Sequence, residues 1–119
     1  AYWMDTAATY VVIEAGKIIG TYYIKTNQPG GGAHICNCGY IVSPVAQGRG
    51  LAAQMCVASQ DQARDLGYSA MQFNFVLESN AGAVRLWHRL GFTTVGTIPD
   101  AFDHPALGMV RAFVMHKQL

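Results

Sequence analysis

The sequence predicts an α/β (α+β) domain built on a mixed, mostly antiparallel sheet with helices packed on it. Three observations predict it. Apolar runs of strand length recur along the chain in the order β-β-β-α-β-α-β-β, with no repeat or low-complexity tract. The composition, 51% hydrophobic and 13% charged over 119 residues, is that of one globular domain spanning 1–119 with a modest core. A glycine-rich corner, "QGRG" at 47–50, separates the third strand from the first helix.

Taken in order, "TYVVIEAGKIIGTYYIK" (9–25) is two β-branched and aromatic runs joined by Ala15-Gly16-Lys17, an antiparallel hairpin. "TNQPGGG" (26–32) is a loop, and "AHICNCGYIV" (33–42) a third strand whose Gly39 marks a bulge or a close backbone approach. Residues 49–66 place Leu51, Met55, Ala58 and Leu66 near helical spacing, with Gly67 as the C-terminal cap. "SAMQFNFVL" (69–77) is a strand, and Ser79-Asn80 caps a second helix that ends at Gly91. "FTTVGTI" and "GMVRAFVMHKQ" are the last strands, with "PDAFDHPALG" between them as a polar loop.

Several partner classes fall away on composition. A formal charge of +1 with basic residues spread thinly offers no patch for a run of phosphates, so no nucleic acid is expected. No apolar run approaches the ~20 residues that cross a bilayer. The opening "AYWMDTAAT" has no signal-peptide character, so the expectation is a soluble, cytoplasmic protein without a membrane partner. Cys36, Cys38 and Cys56 are odd in number, and Cys36-x-Cys38 has only His34 nearby and no second ligand pair. Buried reduced thiols and no metal are expected.

The corner at 47–50 carries the chemistry. Backbone N–H groups at a helix start lack intrahelical partners and lie at the positive end of the helix dipole, and glycines let an anion approach them. A Walker loop is excluded because no Gly-Lys-Ser/Thr follows. Gly48 to Ala53 matches the dinucleotide pattern G-x-G-x-x-A, but antiparallel strands precede it where a β-α-β unit should begin. Asp65 and Glu78 are poorly placed as the ribose-binding acid. Coenzyme A, whose pyrophosphate would sit on the same corner, is the third class.

"VSPVAQGRGLA" resembles the acetyl-CoA signature Q/R-x-x-G-x-G/A of the GCN5-related N-acetyltransferases (GNAT), with Gln47, Gly50 and Ala52 at the defining places. "ESNAGAVRLWHRLGF" resembles the second motif of that family, with Asn80, Ala83, Leu86, Gly91 and Phe92 in register. Over nearly the whole chain, "GTYYIKTNQPGGGAHICNCGYIV" and "FNFVLESNAGAVRLW" are similar to the fungal acetyltransferases of L-azetidine-2-carboxylate and related proline analogues.

The resemblance implies a GNAT sheet with helices on both faces and an acetyl-CoA-dependent N-acetyltransferase acting on a small-molecule amine. Peptide amines, or acyl-CoA binding without turnover, are the alternatives. It implies that Tyr40, Ile41 and Val42 offer main-chain hydrogen bonds to the pantetheine arm. Gln47, Gly48, Arg49, Gly50, Leu51 and Ala52 would hold the pyrophosphate. Asn80, locally a helix N-cap, would contact the cofactor near the thioester. Asn37 and Asn74 would line the acceptor region, and Asn74 with Asn80 would serve catalysis. An amide within "MQFNFV" is costly to bury unpartnered, so Asn74 is expected to bond backbone across the sheet or face a ligand.

Where many members of the family carry an acidic tyrosine, this chain has Trp87, which donates a hydrogen bond but no proton. Glu78 is expected as a dipole partner at the helix entrance, and His34 and His88 as structural or solvated. The mechanism implied is direct attack by a neutral amine, with positioning and main-chain N–H groups as the main sources of catalysis. An acyl intermediate on Cys38 is disfavoured because no base adjoins it. The family fold begins with a strand and two helices, whereas this chain starts at what reads as the second strand. A pocket open on one side is expected, or one completed by another chain, and the exposed sheet edge invites a homodimer.

Overall fold

The computed structural model describes residues 7–119; the opening residues, read above for signal-peptide character, lie outside the described part. The strands are β1 (Ala7–Glu14), β2 (Lys17–Thr26), β3 (Ile35–Val42), β4 (Ala70–Leu77), β5 (Thr93–His104) and β6 (Gly108–Gln118). The helices are α1 (Leu51–Asp65) and α2 (Ala81–Arg89). One six-stranded sheet runs in the order β1-β2-β3-β4-β6-β5. The predicted element order and mixed sheet are therefore observed. The chain divides into two compact units, one running through Met71 and taking in Leu119, the other Gln72–Gln118.

In the first unit, β1 and β2 close through a two-residue turn in which Ala15 (φ 51°) and Gly16 (φ 78°) both have positive φ. That is the turn whose twist matches a two-residue hairpin. A register shift at Val12/Ile13 lets Ile18 lie 61% exposed while Ile19 is buried. β3 pairs antiparallel with β2 from Gly20↔Val42 to Thr26↔Cys36. No register break occurs at Gly39: the close approach is made by a side chain, since a Cβ there would lie 2.4 Å from the Tyr23 ring.

α1 covers the face of β2 and β3 that carries Gly20, Tyr22, Ile24 and Tyr40. A Cβ on Gly20 would stand 2.9 Å from Met55 Sδ. The Tyr22 hydroxyl bonds Gln62, and the Tyr40 hydroxyl pairs with Ser59 Oγ at 2.7 Å. The buried stripe of α1 is Leu51, Met55, Cys56, Ser59, Gln60 and Ala63, with Ala58 and Leu66 exposed. The predicted stripe is thus corrected. The steps of four from Leu51 to Ala63 centre the buried face away from Ala58, and Leu66 lies just past the last helical residue.

The exit of α1 is as expected. Gly67 (φ 96°) donates to Arg64 O, and Tyr68 donates to Ala63 O, closing a Schellman motif. Cys36, Cys38 and Cys56 are buried and form no disulfide; Cys36 and Cys38, two apart on β3, share the face under α1.

In the second unit, Phe73 of β4 stacks on Phe92 at 4.3 Å, and Trp87 of α2 tilts against Phe73 at 4.9 Å. Gly91 (φ 100°) ends α2 in a second Schellman motif, and Lys117 Nζ donates to Leu90 O at 2.8 Å. The loop expected over 99–108 is corrected. β5 continues to His104 across a register shift between Ile98 and Phe102, where Asp100 takes φ 46°. The bulge accommodates Pro99, which has no N–H to give a ladder. The reversal is confined to Pro105–Leu107, whose Ala106 and Leu107 N–H groups bond His104 Nδ1.

Candidate active site

Val42 of β3 runs into a single 3-10 turn, Pro44–Ala46, and then into Gln47-Gly48-Arg49-Gly50. Gly48 (φ 81°) and Gly50 (φ 75°) are both left-handed, and Gly50 is the N-cap of α1. The first helical hydrogen bond runs from Gln54 N to Gly50 O at 3.2 Å, so the N–H groups of Leu51, Ala52 and Ala53 precede the intrahelical ladder. No acidic side chain lies in that first turn. A Cβ built on either glycine meets nothing within 4 Å. An anion can therefore come directly against those donors at the positive end of a fifteen-residue helix.

Gln47 is exposed at the rim of this corner. Arg49 is turned away from standing alone there: its guanidinium pairs with Glu14 at the end of β1, at 2.6 Å and 3.2 Å. The pair holds the Glu14 carboxyl below its usual range and raises Arg49 further. The Tyr40 side chain points under α1, where burial pushes its phenol well up, so its contribution at the site is its backbone. Ile41, 69% exposed, projects from the other face.

Asn37 is 7% exposed and accepts a hydrogen bond from the Tyr23 hydroxyl at 3.2 Å. Burial also raises the Tyr23 phenol, keeping it a donor at neutral pH. The thiol of Cys38 is pushed above the ordinary range, first by its bond with Cys36 and then by burial, which makes it a poor nucleophile.

In the second unit the Asn80 side chain caps α2, accepting from Ala83 N at 3.3 Å. Asn74 is exposed and accepts from Gln72 Nε2 at 3.0 Å, so the sequence-based premise of a buried amide is corrected. Two residues apart on β4, Gln72 and Asn74 share one face. Glu78, just before α2, forms a two-pronged ion pair with Arg111 of β6, which holds its carboxyl low. Trp87 belongs to the aromatic cluster described above. His88 is structural, its Nδ1 at 3.1 Å from Phe92 O, and His34 is exposed. Among the described residues there is no cluster of three His, Cys, Asp or Glu side chains able to hold a metal. No helix among them is long and apolar enough to cross a membrane.

Sequence reasoning missed Tyr23, which reaches from β2 over Gly39 to Asn37. The signal was the alignment of an aromatic residue with a strand glycine, readable only once the β2–β3 register is known.

A strand, a glycine corner open to an anion, a helix and a following strand make up this part of the fold, and comparison with known proteins places them in a family. The Acetyltransferase (GNAT) family matches residues 1–92, and the chain belongs to that family. It is 40% identical over 85 residues to N-acetyltransferase aca1 of Schizosaccharomyces pombe, covering 71% of this chain and 41% of that protein. The chain thus spans less than half the length of that relative. Among solved structures, a GCN5-related N-acetyltransferase from Kribbella flavida superposes with a TM-score of 0.91 at 41% identity, covering 95% of this chain and 68% of that one. The acetyltransferase yncA from Salmonella typhimurium, solved with its cofactor acetyl-CoA, superposes with a TM-score of 0.83 at 25% identity, covering 95% and 65%.

Proposed function

We propose that the chain transfers the acetyl group of acetyl-CoA to the amine of a small molecule, with a cyclic amino acid of the proline-analogue type as the favoured acceptor. The observation that carries the reading is the corner at Gly48 and Gly50. Left-handed glycines with open space above them lead into the N–H groups of Leu51, Ala52 and Ala53, which is the geometry a pyrophosphate requires. Family membership supports the same ligand.

In this reading Gln47 to Ala52 hold the pyrophosphate, and Arg49 adds charge while its carboxylate partner Glu14 fixes its stem. The main chain of Tyr40, Ile41 and Val42 takes the pantetheine arm as an added strand would be taken. The thioester supplies the activated acetyl group. The protein's own part is to align the amine, to exclude water and to aim main-chain N–H groups at the carbonyl oxygen. Asn80 meets the cofactor near the thioester while capping α2, and Asn74 and Asn37 contact the acceptor. No side chain is assigned as general base, because the carboxylates of Glu14 and Glu78 are both held by arginines.

The buried, unlinked thiols fit a reducing, cytoplasmic setting. Among the described residues β1 lies at the end of the sheet, with Val11 and Ile13 50% and 61% exposed, and it is the strand through which a homodimer is proposed to pair.

The test is acetyl-CoA-dependent thiol release with L-azetidine-2-carboxylate and, in parallel, with a peptide N-terminal amine. Release with the first alone supports the reading, and release with the peptide alone moves the acceptor to peptide amines. A second reading, acyl-CoA binding without turnover, is favoured by Trp87 standing where the family's acidic tyrosine falls. Binding with no release over a broad panel of amines would establish it.

A further inference from the structure

The stretch that leads from β3 into α1 is pinned at its two ends and loose between them. Ala46 and Leu51 are buried, whereas Gln47, Gly48, Arg49 and Gly50 are all exposed. Among the described residues the main chain of 47–50 enters two turn bonds, Gln47 N to Pro44 O at 3.4 Å and Gln54 N to Gly50 O at 3.2 Å. Both glycines have open space where a side chain would stand, so packing does not hold them. Glycine loses more backbone freedom on ordering than any other residue, which makes such a corner costly to keep in one shape.

One side chain ties the corner down. Arg49, between the two glycines, donates from Nη1 and Nη2 to the two carboxylate oxygens of Glu14, at 3.2 Å and 2.6 Å. A fork that engages both oxygens fixes direction as well as distance. The anchor is part of the sheet: Glu14 is the last residue of β1, in register with Lys17 across the hairpin turn. Ser43 N donates to Ile19 O at 2.8 Å, which holds the chain leaving β3 beside the start of β2. Among the described residues Lys17 forms no ion pair with Glu14, and no other ion pair reaches the corner. The Glu14 carboxylate is therefore committed to Arg49.

We propose that Glu14 is a positioning residue for the cofactor: through Arg49 it holds Gly48 and Gly50 in the left-handed shape that leaves the N–H groups of Leu51, Ala52 and Ala53 open, before any ligand arrives. The inference rests on the acetyl-CoA reading and deepens it. A corner ordered in advance spares the ligand the cost of ordering it, and that saving appears as affinity. A carboxylate that merely competed with phosphate for Arg49 would do the opposite and weaken binding. The sign of its effect on affinity separates the two roles.

The experiment compares the whole chain with its Glu14→Gln, Arg49→Met and doubly substituted variants. Backbone NMR order parameters of Gly48, Arg49 and Gly50 are measured without ligand, and acetyl-CoA affinity by calorimetric titration. The pair is exposed, which sets a modest size. Glu14→Gln lowers the order parameters at 48–50, leaves those of Ala15 and Gly16 in place, and weakens acetyl-CoA about two- to fivefold. Because Glu14 acts through Arg49, the same substitution adds nothing in the Arg49→Met background. Unchanged order parameters at 48–50 overturn the positioning role, as does affinity that is unchanged or tighter in Glu14→Gln. Equal weakening with and without Arg49 overturns it too. A wild type that binds no acetyl-CoA also overturns it, by failing the cofactor reading. The unliganded order parameters tell that failure apart, because they report the tie whether or not a ligand binds.

Discussion

Replacing Gly50 by alanine separates what the corner does for folding from what it does for binding. Gly50 sits at φ 75°, and an L-residue in the left-handed region costs about 1–2 kcal/mol. Nothing lies within 4 Å of the added methyl, so no steric cost follows in the unliganded protein. The melting temperature should fall by several degrees. The effect on acetyl-CoA should be larger, because the methyl stands in the open space through which, in the proposed reading, a phosphate oxygen would reach the N–H groups of Leu51 to Ala53. Loss of one charge-assisted hydrogen bond weakens binding by about 1.5–3 kcal/mol, roughly tenfold to over a hundredfold. Calorimetric titration with acetyl-CoA reads the binding and a thermal melt reads the fold. Gly16→Ala is the control: its φ of 78° is equally left-handed and equally uncrowded, but it lies in the β1–β2 turn. It should lose similar stability and no affinity. A folded Gly50→Ala variant with wild-type affinity would refute the reasoning.

Three further perturbations follow from the same geometry. Asn80→Ala removes the cap of α2 and should cost about 1 kcal/mol in chemical denaturation; if Asn80 also meets the cofactor, kcat/KM falls well beyond that loss. Trp87→Ala opens the cluster with Phe73 and Phe92 and, for a half-buried ring, should cost about 1–3 kcal/mol, below the range for a fully buried aromatic, whereas Trp87→Phe retains most of the stability in the same denaturation series. Glu78, lowered by Arg111, contributes stability that is present above its ordinary value of 4.5 and lost as pH falls through the lowered native value. Glu78→Gln should therefore flatten the acid side of the stability profile below about pH 4.5 by a small, salt-screened amount, leaving stability at neutral pH slightly reduced.

What was legible in the sequence is what is local. Ala15-Gly16 announces its turn, Gly67 and Gly91 announce helix exits, and Asn80 announces a cap, because each is a backbone requirement met by one residue type. The glycine corner was legible for the same reason. Contacts between distant segments were not. The Arg49–Glu14 pair spans 35 positions and the Arg111–Glu78 pair 33, and neither charge pattern points to its partner. The strand beyond Pro99 reads as a loop because proline, aspartate and glycine are loop-forming unless a bulge absorbs them, and a bulge depends on the facing strand. The exposure of Asn74 depends on which face of β4 is covered, which "MQFNFV" alone does not set. The Tyr23–Asn37 bond needs the β2–β3 register and the missing side chain of Gly39 together.

The central claim is that Gly48 and Gly50 open the mouth of α1 to coenzyme A. Thermal denaturation of the whole chain during titration with acetyl-CoA, against NADH as the rival phosphate-bearing ligand, tests it most directly. At 100 times its dissociation constant a ligand stabilises the fold by about 2.7 kcal/mol, a rise of several degrees in Tm for a domain of this size. That rise with acetyl-CoA and none with NADH is the predicted result. No rise with acetyl-CoA, or a larger one with NADH, would contradict the account.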